Sequence, residues 1–251
     1  DVDVQILIPL SYAGIIEALR FGHADAAFMS AWPMMLAEKR AGAGVALAEI
    51  REVVIGQEKR EAPFYFSYWI VLRDSPVQDL SQLKGLKACF PSPLSTSGYL
   101  MPVARLMELG LIPKPDAEGA NPEAFFGQVI FGGGYGQCWT ALRQRQVDVT
   151  VIAGDVAESL YREVLANTRV LEEQGPIPSH GVVLRKGFPT ALRVRFLNAL
   201  MDLGKPEHRP LMRRLISAIF VGFKRTTSAE HLGALNRALE LTGFAFVERL
   251  R

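Results

Sequence analysis

The sequence has little net charge, few cysteines and no long apolar segment, and each absence excludes a class of protein. Its 28 basic and 26 acidic residues leave a formal charge of +2, so no field strong enough to gather nucleic acid is expected. No apolar run approaches the roughly 18 residues of a membrane span. Two cysteines in 251 residues make neither a disulfide framework nor a zinc cluster.

Motifs of catalysis are also missing. The sequence contains no Gly-x-Ser-x-Gly elbow, no His-Glu-x-x-His pair and no Walker loop. Neither Cys89 nor Cys138 has metal-ligand spacing, and Cys89, on an apolar strand, is most simply a buried thiol. A triad of Ser95, His180 and Asp155 can be drawn, but nothing in the spacing supports it. We therefore predict a binding protein that is no enzyme and carries no cofactor or metal.

Short apolar strands alternate with helical stretches along the chain. Predicted strands cover residues 4–8, 24–29, 64–72, 87–90, 128–131, 147–152 and 182–184. Predicted helices cover residues 11–20 and 33–40, follow the strands at 87–90 and 128–131, and fill the C-terminal region at 189–203, 207–221 and 228–241. This alternation predicts an α/β fold with a mostly parallel sheet and helices on both faces. In such sheets ligands bind beyond the carboxyl ends of the strands.

The loop after strand 87–90 gives the strongest indication of a binding site. Ser95, Thr96 and Ser97 stand where a helix is predicted to begin. A helix N-terminus presents unpaired N–H groups and the positive end of the helix dipole. With three hydroxyls added, the loop predicts an anion site that needs no lysine. The alternative is simple capping by Ser97. Pro102 lacks an N–H, so the first turn is expected to be open or distorted.

A glycine-rich segment, 132–136, also follows a strand and opens a helix, and Asp155 ends the next strand. The arrangement resembles a dinucleotide fingerprint, but Gln137 stands where its third glycine is needed. A tight turn that exposes Tyr135 is the simpler interpretation. Asp155 either caps the next helix or faces the cleft. In the cleft it would repel an anion unless it accepts a hydrogen bond from a protonated oxygen or an ammonium group, so it is a candidate specificity residue.

Aromatic side chains and a histidine stand near predicted strand ends. Core packing is the simpler interpretation of any one aromatic, but a tyrosine hydroxyl can also donate to an oxyanion. Tyr12, at a helix start, and Tyr135 are therefore expected to face ligand, and Trp32 and Tyr65 are further candidates. His180 is either an ordinary loop histidine or a pH-sensitive ligand contact. The remaining histidines are expected at the surface: His23, His208 and His231.

Several ordered blocks resemble the phosphate/phosphite/phosphonate-binding periplasmic proteins of ABC importers. The resemblance runs from Ser11 to about Pro189, and Ser95-Thr-Ser-Gly-Tyr-Leu-Met-Pro102 carries the most specific signature. The other matching blocks are Tyr12-Ala-Gly-Ile-Ile-Glu-Ala-Leu-Arg-Phe-Gly-His-Ala-Asp-Ala-Ala-Phe28, Tyr65-Phe-Ser-Tyr-Trp-Ile-Val-Leu-Arg-Asp-Ser75, Leu80-Ser-Gln-Leu-Lys-Gly85 and Pro176-Ile-Pro-Ser-His-Gly-Val-Val-Leu184.

The resemblance implies a two-lobed, type 2 periplasmic-binding fold with the ligand between the lobes. Lobe one would comprise residues 1–84 and 181–251, and lobe two residues 85–180. A membrane permease of an ABC transporter would be the partner, the location would be periplasmic or extracytoplasmic, and the protein would be a monomer. Because such proteins usually start one strand and one helix earlier, after a secretion signal, part of the lobe-one sheet is expected to be absent here, with marginal stability and weakened binding.

By position, the resemblance implies that Tyr12 and the three hydroxyl residues 95–97 hold a phosphorus oxyanion. Tyr135 falls where the family often has histidine, and Asp155 where an acid can face the substituent on phosphorus. Ser179 or His180 stands near the place of a second carboxylate in amine-binding members. A phosphonate without an amine, a phosphite or a phosphate is therefore favoured over an aminoalkylphosphonate. The alternatives are a sulfonate or taurine binder, the detached effector domain of a regulator, or a small-molecule enzyme.

Overall fold

The computed structural model describes residues 3–9, 12–55, 58–116, 119–215 and 219–244. Its helices are α1 Tyr12–Arg20, α2 Ala31–Ala41, α3 Met101–Glu108, α4 Tyr135–Arg143, α5 Glu158–Asn167, α6 Thr190–Asp202, α7 Arg209–Leu215 and α8 Ser228–Thr242. Its strands are β1 Ala26–Met29, β2 Gly44–Ile55, β3 Glu58–Ala62, β4 Phe64–Leu72, β5 Lys87–Phe90, β6 Gln128–Phe131, β7 Val149–Ala153, β8 Thr168–Pro178, β9 Gly181–Leu184 and β10 Phe220–Arg225. No helix within these ranges is long and apolar enough to cross a membrane.

The strands form two five-stranded sheets. The first has the order β1-β9-β2-β10 with β3 paired to β2, and the second has the order β6-β5-β7-β4-β8. Antiparallel pairing dominates, so the prediction of a mostly parallel sheet is wrong: among the described strands only β5 pairs in parallel, with β6 and β7. The sequence analysis missed β2, β3, β8 and β10. Only two residues separate β2 from β3, a short connection of the kind that joins antiparallel strands.

Two predicted elements near the ends of the chain are also wrong. The predicted helix 207–221 stops earlier, because Phe220 begins β10 and pairs with Arg51 of β2. The predicted strand 4–8 is an irregular segment, and its side chains Val4, Ile6, Leu7 and Ile8 are between 62% and 85% exposed. A cavity of about 690 Å³ lies between this segment and β1, α1 and α6. A short apolar segment therefore does not form a strand when no strand among the described residues pairs with it.

The chain crosses between the sheets after β3 and again between β8 and β9. The second crossover lies at Ser179 and His180, near the predicted lobe boundary. After the first crossover, β4 belongs to the second sheet. The division predicted from the sequence instead assigns all of residues 1–84, and therefore β4, to lobe one. The division of the chain into lobes remains a prediction. Residues of both sheets meet, because Arg51 of β2 in the first sheet bonds Asp155, which follows β7 of the second sheet.

Cys89 of β5 and Cys138 of α4 form a disulfide, with their Cα atoms 5.5 Å apart. The expectation of a buried thiol at Cys89 is therefore wrong, because a helix 49 residues further along the sequence packs its cysteine against the strand. Gly132 makes room for the bond, since a Cβ there would lie 2.8 Å from Sγ of Cys138 and 3.1 Å from Sγ of Cys89. We call residues 91–98, which follow β5 and contain Ser95, Thr96 and Ser97, the serine loop. The disulfide thus ties the strand before the serine loop to the helix that begins at Tyr135.

Candidate ligand-binding site

The serine loop leads into α3 through one turn of π-helix, Thr96–Leu100. Ser95 is the cap, because its Oγ accepts from the Gly98 amide at 3.0 Å, so capping by Ser97 is ruled out. Pro102 has no N–H to give the preceding turn, and the expected distortion of the first turn is confirmed. With the cap supplied by a neighbouring residue, the Ser97 hydroxyl is available for other partners.

Glycine is required at position 98 by the tight folding of this loop. A Cβ built there would lie 2.1 Å from Cγ of Pro91 and 2.7 Å from Oγ of Ser95. These distances are far inside van der Waals contact, so a side chain at 98 would push the cap out of place. The glycine of the Ser-Thr-Ser-Gly signature therefore serves the geometry that presents the hydroxyls.

Three hydroxyls from separate elements meet at Ser97. The Tyr65 hydroxyl, at the start of β4, donates to Oγ of Ser97 at 2.9 Å, and the hydroxyls of Ser97 and Tyr135 lie 2.7 Å apart. We call Tyr65, Ser97 and Tyr135 the hydroxyl cluster. Burial raises the pKa of both tyrosines above the ordinary value, and the nearby Asp155 raises it further. Both phenols therefore stay protonated near neutral pH and remain hydrogen-bond donors.

Thr96 and Trp32 are joined to each other rather than to the hydroxyl cluster. The Oγ1 of Thr96, a residue only 1% exposed, accepts from the backbone N–H of Trp32 at 3.0 Å. The Trp32 ring is buried and stacks on Phe244, with centroids 6.0 Å apart. This bond connects the serine loop to the first turn of α2. Trp32 thus acts on the loop through its amide while its ring packs in the core.

Arg51 is the site residue that sequence reasoning missed. From β2, its Nη1 donates to Oδ2 of Asp155 and its Nε donates to Oε2 of Glu49 at 2.5 Å. The side chains of Arg51, Glu49 and Asp155 are only 4%, 0% and 8% exposed. Asp155 therefore pairs with Arg51 instead of capping α5, whose cap position is held by Ala157. We call Glu49, Arg51 and Asp155 the charge cluster.

The protonation of the charge cluster follows from its burial. Burial raises the pKa of the Glu49 carboxyl to about 7, although the Arg51 cation acts to lower it. Burial likewise raises the pKa of Asp155 against the opposing effect of Arg51. For Arg51, burial acts to lower the pKa, but the carboxylates of Asp155 and Glu49 outweigh it and the pKa is raised. Arg51 therefore stays positively charged, and both the Glu49 and the Asp155 carboxyl groups are paired with this one cation.

A sequence signal for Arg51 did exist. Glu49 and Arg51 are opposite charges two positions apart in the otherwise apolar run Val45-Ala-Leu-Ala-Glu-Ile-Arg51. On a strand, residues two apart share one face, so such a pair marks a buried polar contact. Residues 44–55 were not recognised as a strand, and the pair was therefore not recognised as part of the site.

The other predicted site residues surround the two clusters. His180 stacks on Phe28 with centroids 5.5 Å apart, and within the described residues its buried Nδ1 has no hydrogen-bond partner. Burial, and then the charge of Arg51, lowers its pKa well below the usual range, so the ring is neutral. Tyr12 is the first residue of α1. Its interaction with Tyr135 raises the pKa of Tyr135, but by less than burial and Asp155 do.

The structure also shows where the members of the hypothetical triad and the other histidines lie. Asp155 pairs with Arg51 and the Ser95 oxygen accepts from a backbone amide, so no serine–histidine–aspartate relay is assembled. His23 and His208 are exposed as expected. His231 is 8% exposed, and its Nε2 lies 3.0 Å from the carbonyl oxygen of Ser179. The surface prediction for His231 is wrong because α8 turns it towards the crossover.

Protonated hydroxyls and a buried cluster of charges lie where residues of the two sheets meet, an arrangement suited to binding a small solute. The chain belongs to the family described as ABC transporter, phosphonate, periplasmic substrate-binding protein, whose model matches residues 1–231. This family comprises substrate-binding components of transporters, and the two-lobed α/β fold expected from the resemblance is confirmed.

Three known proteins illustrate the similarity. The phosphonates-binding periplasmic protein of Escherichia coli K12 is 28% identical over 222 residues, which cover 85% of this chain and 61% of that protein. The phosphate-import protein PhnD of Mycolicibacterium smegmatis is 30% identical over 146 residues, or 58% of this chain and 43% of that one. The crystal structure of a binding protein component of an ABC phosphonate transporter from Pseudomonas aeruginosa superimposes with a TM-score of 0.70 at 21% identity, covering 91% of this chain and 72% of that one. The matches thus span 43% and 61% of the two curated relatives' lengths.

Proposed function

We propose that this protein is the solute-binding component of an ABC importer and captures a phosphorus oxyanion, namely a phosphonate, a phosphite or a phosphate. The observation that carries the proposal is the hydroxyl cluster, in which Ser97 bonds Tyr65 at 2.9 Å and Tyr135 at 2.7 Å. Phosphorus oxyanions present several oxygen acceptors, and these hydroxyls are protonated donors gathered around one point. An entering oxyanion would exchange the bonds within the cluster for bonds to itself.

The opening of α3 adds the second element of the anion site. Ser97 belongs to its π-helical first turn, where the positive end of the helix dipole favours an anion. Tyr12 would close the ligand from lobe one, with Ser95 and Thr96 fixing the loop from lobe two. We propose lobes that follow the sheets, with the first crossover between Ala62 and Phe64.

The partner and the location follow from the same proposal. Closure of the lobes on the ligand would create the surface that a membrane permease recognises. The disulfide between Cys89 and Cys138 supports a periplasmic or other extracytoplasmic location, because disulfides persist in oxidising compartments and are rare in the cytosol. A monomer binds one oxyanion and needs no chemistry on it.

The proposal is tested by calorimetric titration with phosphate, phosphite, methylphosphonate, 2-aminoethylphosphonate and taurine. We expect saturable binding of at least one phosphorus oxyanion, recovered chemically unchanged. Tight binding of taurine alone would transfer the protein to the sulfonate binders. Turnover of any of these compounds, or no binding to any of them, would refute the proposal.

A further inference from the structure

Arg51 places a permanent buried cation next to the hydroxyl cluster. Its guanidinium binds Asp155 on one side and Glu49 on the other, and it lies over the ring of Tyr65, with Cζ 5.9 Å from the ring centroid. Tyr65 also donates to Ser97, so the charge cluster and the hydroxyl cluster share this tyrosine. A ligand held by the hydroxyl cluster would therefore be separated from Arg51 by the side chain of Tyr65 alone.

The charge cluster is held rigidly in place. Arg51 is 4% exposed and cannot turn into solvent without breaking two ion pairs. Glu49 is itself fixed by its backbone, since its N–H donates to the carbonyl of His180 at 2.8 Å and its carbonyl accepts from Oγ of Ser179 at 2.6 Å. The cation is thus a built part of the cleft and not a mobile side chain that a ligand can push aside.

The electrostatic consequence concerns Asp155. A carboxylate close to an oxyanion site repels the oxyanion unless a cation stands beside it, and that cation can come from the ligand or from the protein. Here the protein supplies the cation, because Arg51 is paired with the Asp155 carboxylate. A positively charged substituent on the ligand would find the Asp155 carboxylate already paired with Arg51 and would face the like charge of Arg51.

We propose that Arg51 is the specificity-determining residue of the cleft, and that it selects phosphorus oxyanions without a cationic substituent by taking the place of that substituent against Asp155. This inference rests on the proposed function and deepens it from a phosphorus oxyanion to a class of phosphorus oxyanion. A purely structural ion pair would instead contribute to stability and leave the relative affinities for different ligands unchanged.

Three ligands separate charge from size: methylphosphonate, 2-aminoethylphosphonate and propylphosphonate, the last being as long as the second but uncharged at its end. In calorimetric titrations we expect the wild type to bind methylphosphonate at least tenfold more tightly than 2-aminoethylphosphonate. We expect Arg51→Gln to shift this ratio by at least tenfold towards the amine, with a much smaller shift for propylphosphonate. An unchanged ratio, or equal gains for the two longer ligands, would overturn the inference.

The matched control is Arg145→Gln. Arg145 makes an exposed pair with Asp74 at 2.6 Å, with both side chains more than 60% exposed, and its loss should leave every ratio unchanged. If Arg51→Gln does not fold, Asp155→Asn tests the same claim with Arg51 retained. We then expect tighter binding of methylphosphonate and weaker binding of the amine, and the opposite trend, or an unchanged ratio, contradicts the inference. A wild type that binds none of the three ligands and neither phosphate nor phosphite refutes the proposed function itself, and a wild type that prefers the amine refutes only the role of Arg51.

Discussion

At the scale of single residues, the hydroxyl of Ser97 is the centre of the proposed site. It bonds Tyr65 and Tyr135 directly and belongs to the turn that opens α3. We expect Ser97→Ala to weaken oxyanion binding by about 1–2 kcal/mol, because a hydrogen bond to a charged oxygen is lost. Calorimetric titration with the tightest-binding oxyanion measures the change.

The control for Ser97→Ala is Ser81→Ala. The Ser81 hydroxyl bonds Asp79 in an exposed turn, so its removal takes away a hydroxyl of the same size far from the hydroxyl cluster. An affinity equal to that of the wild type in Ser97→Ala would remove Ser97 from direct contact with the ligand.

Glu49 predicts a pH dependence of stability. Its pKa is raised from 4.5 to about 7 in the folded protein, so between these values the folded state keeps a proton that the unfolded state has released. Stability contributed by this group is therefore full below about pH 4.5 and is lost as the pH rises to about 7. We expect Glu49→Gln to be relatively more stable, compared with the wild type, at pH 7 than at pH 4.5.

Denaturant unfolding of both proteins at several pH values measures this difference. The lowered pKa of His180 gives a slope of the opposite sign, since stability from a neutral buried histidine rises with pH up to its unfolded pKa. That slope is common to both proteins and cancels in the comparison. Parallel stability curves for the two proteins would show that Glu49 does not bind the extra proton.

Residue-level prediction from the sequence succeeded where a local pattern carried the information. Ser97, Tyr65 and Tyr135 were all selected as candidates, and the structure brings their hydroxyls together. Arg51 and Glu49 were missed because their importance depends on Asp155, about a hundred residues away, and on a strand that was not recognised. Long-range pairing of charges cannot be read from local periodicity.

At the scale of elements, the disulfide joins β5 to α4 and so fixes the distance between the serine loop and Tyr135. Its two cysteines are 49 residues apart, and the loop entropy removed from the unfolded chain corresponds to about 4 kcal/mol. We expect the double variant Cys89→Ser/Cys138→Ser to unfold at lower urea concentration, with a free energy of unfolding reduced by about 2–4 kcal/mol.

A reducing agent provides the internal control for the disulfide. Reduction should bring the wild type down to the stability of the double variant and leave the double variant unchanged. Equal unfolding midpoints for oxidised wild type and double variant would contradict the prediction.

Elements with a strong internal pattern were predicted well, and elements defined by their partners were not. The aromatic and β-branched strand 64–72 and the short strands 87–90 and 128–131 were placed correctly. The strands β2 and β8 were missed, and both are long, partly polar strands whose register shifts along the partner. The predicted strand 4–8 failed for the converse reason, since its pattern has no partner strand among the described residues.

At the scale of the whole molecule, a ligand held between the lobes should protect elements from both. We expect hydrogen exchange to slow, on addition of the oxyanion, at the start of α1 near Tyr12 and in the serine loop together. The exposed helix α6 should exchange at the same rate with and without ligand. Protection confined to the serine loop would mean that the ligand sits on one lobe alone.

Arg51 is carried by the first sheet, whereas the hydroxyl cluster is carried by the second sheet and the loops around it. Under the proposed roles, affinity for the phosphoryl head and discrimination among its tails would be encoded in separate stretches of the gene. Changes in β2 alone would then alter which solute is bound while leaving the contacts to phosphorus intact. An ancestral reconstruction would reveal this as turnover at position 51 against a constant serine loop.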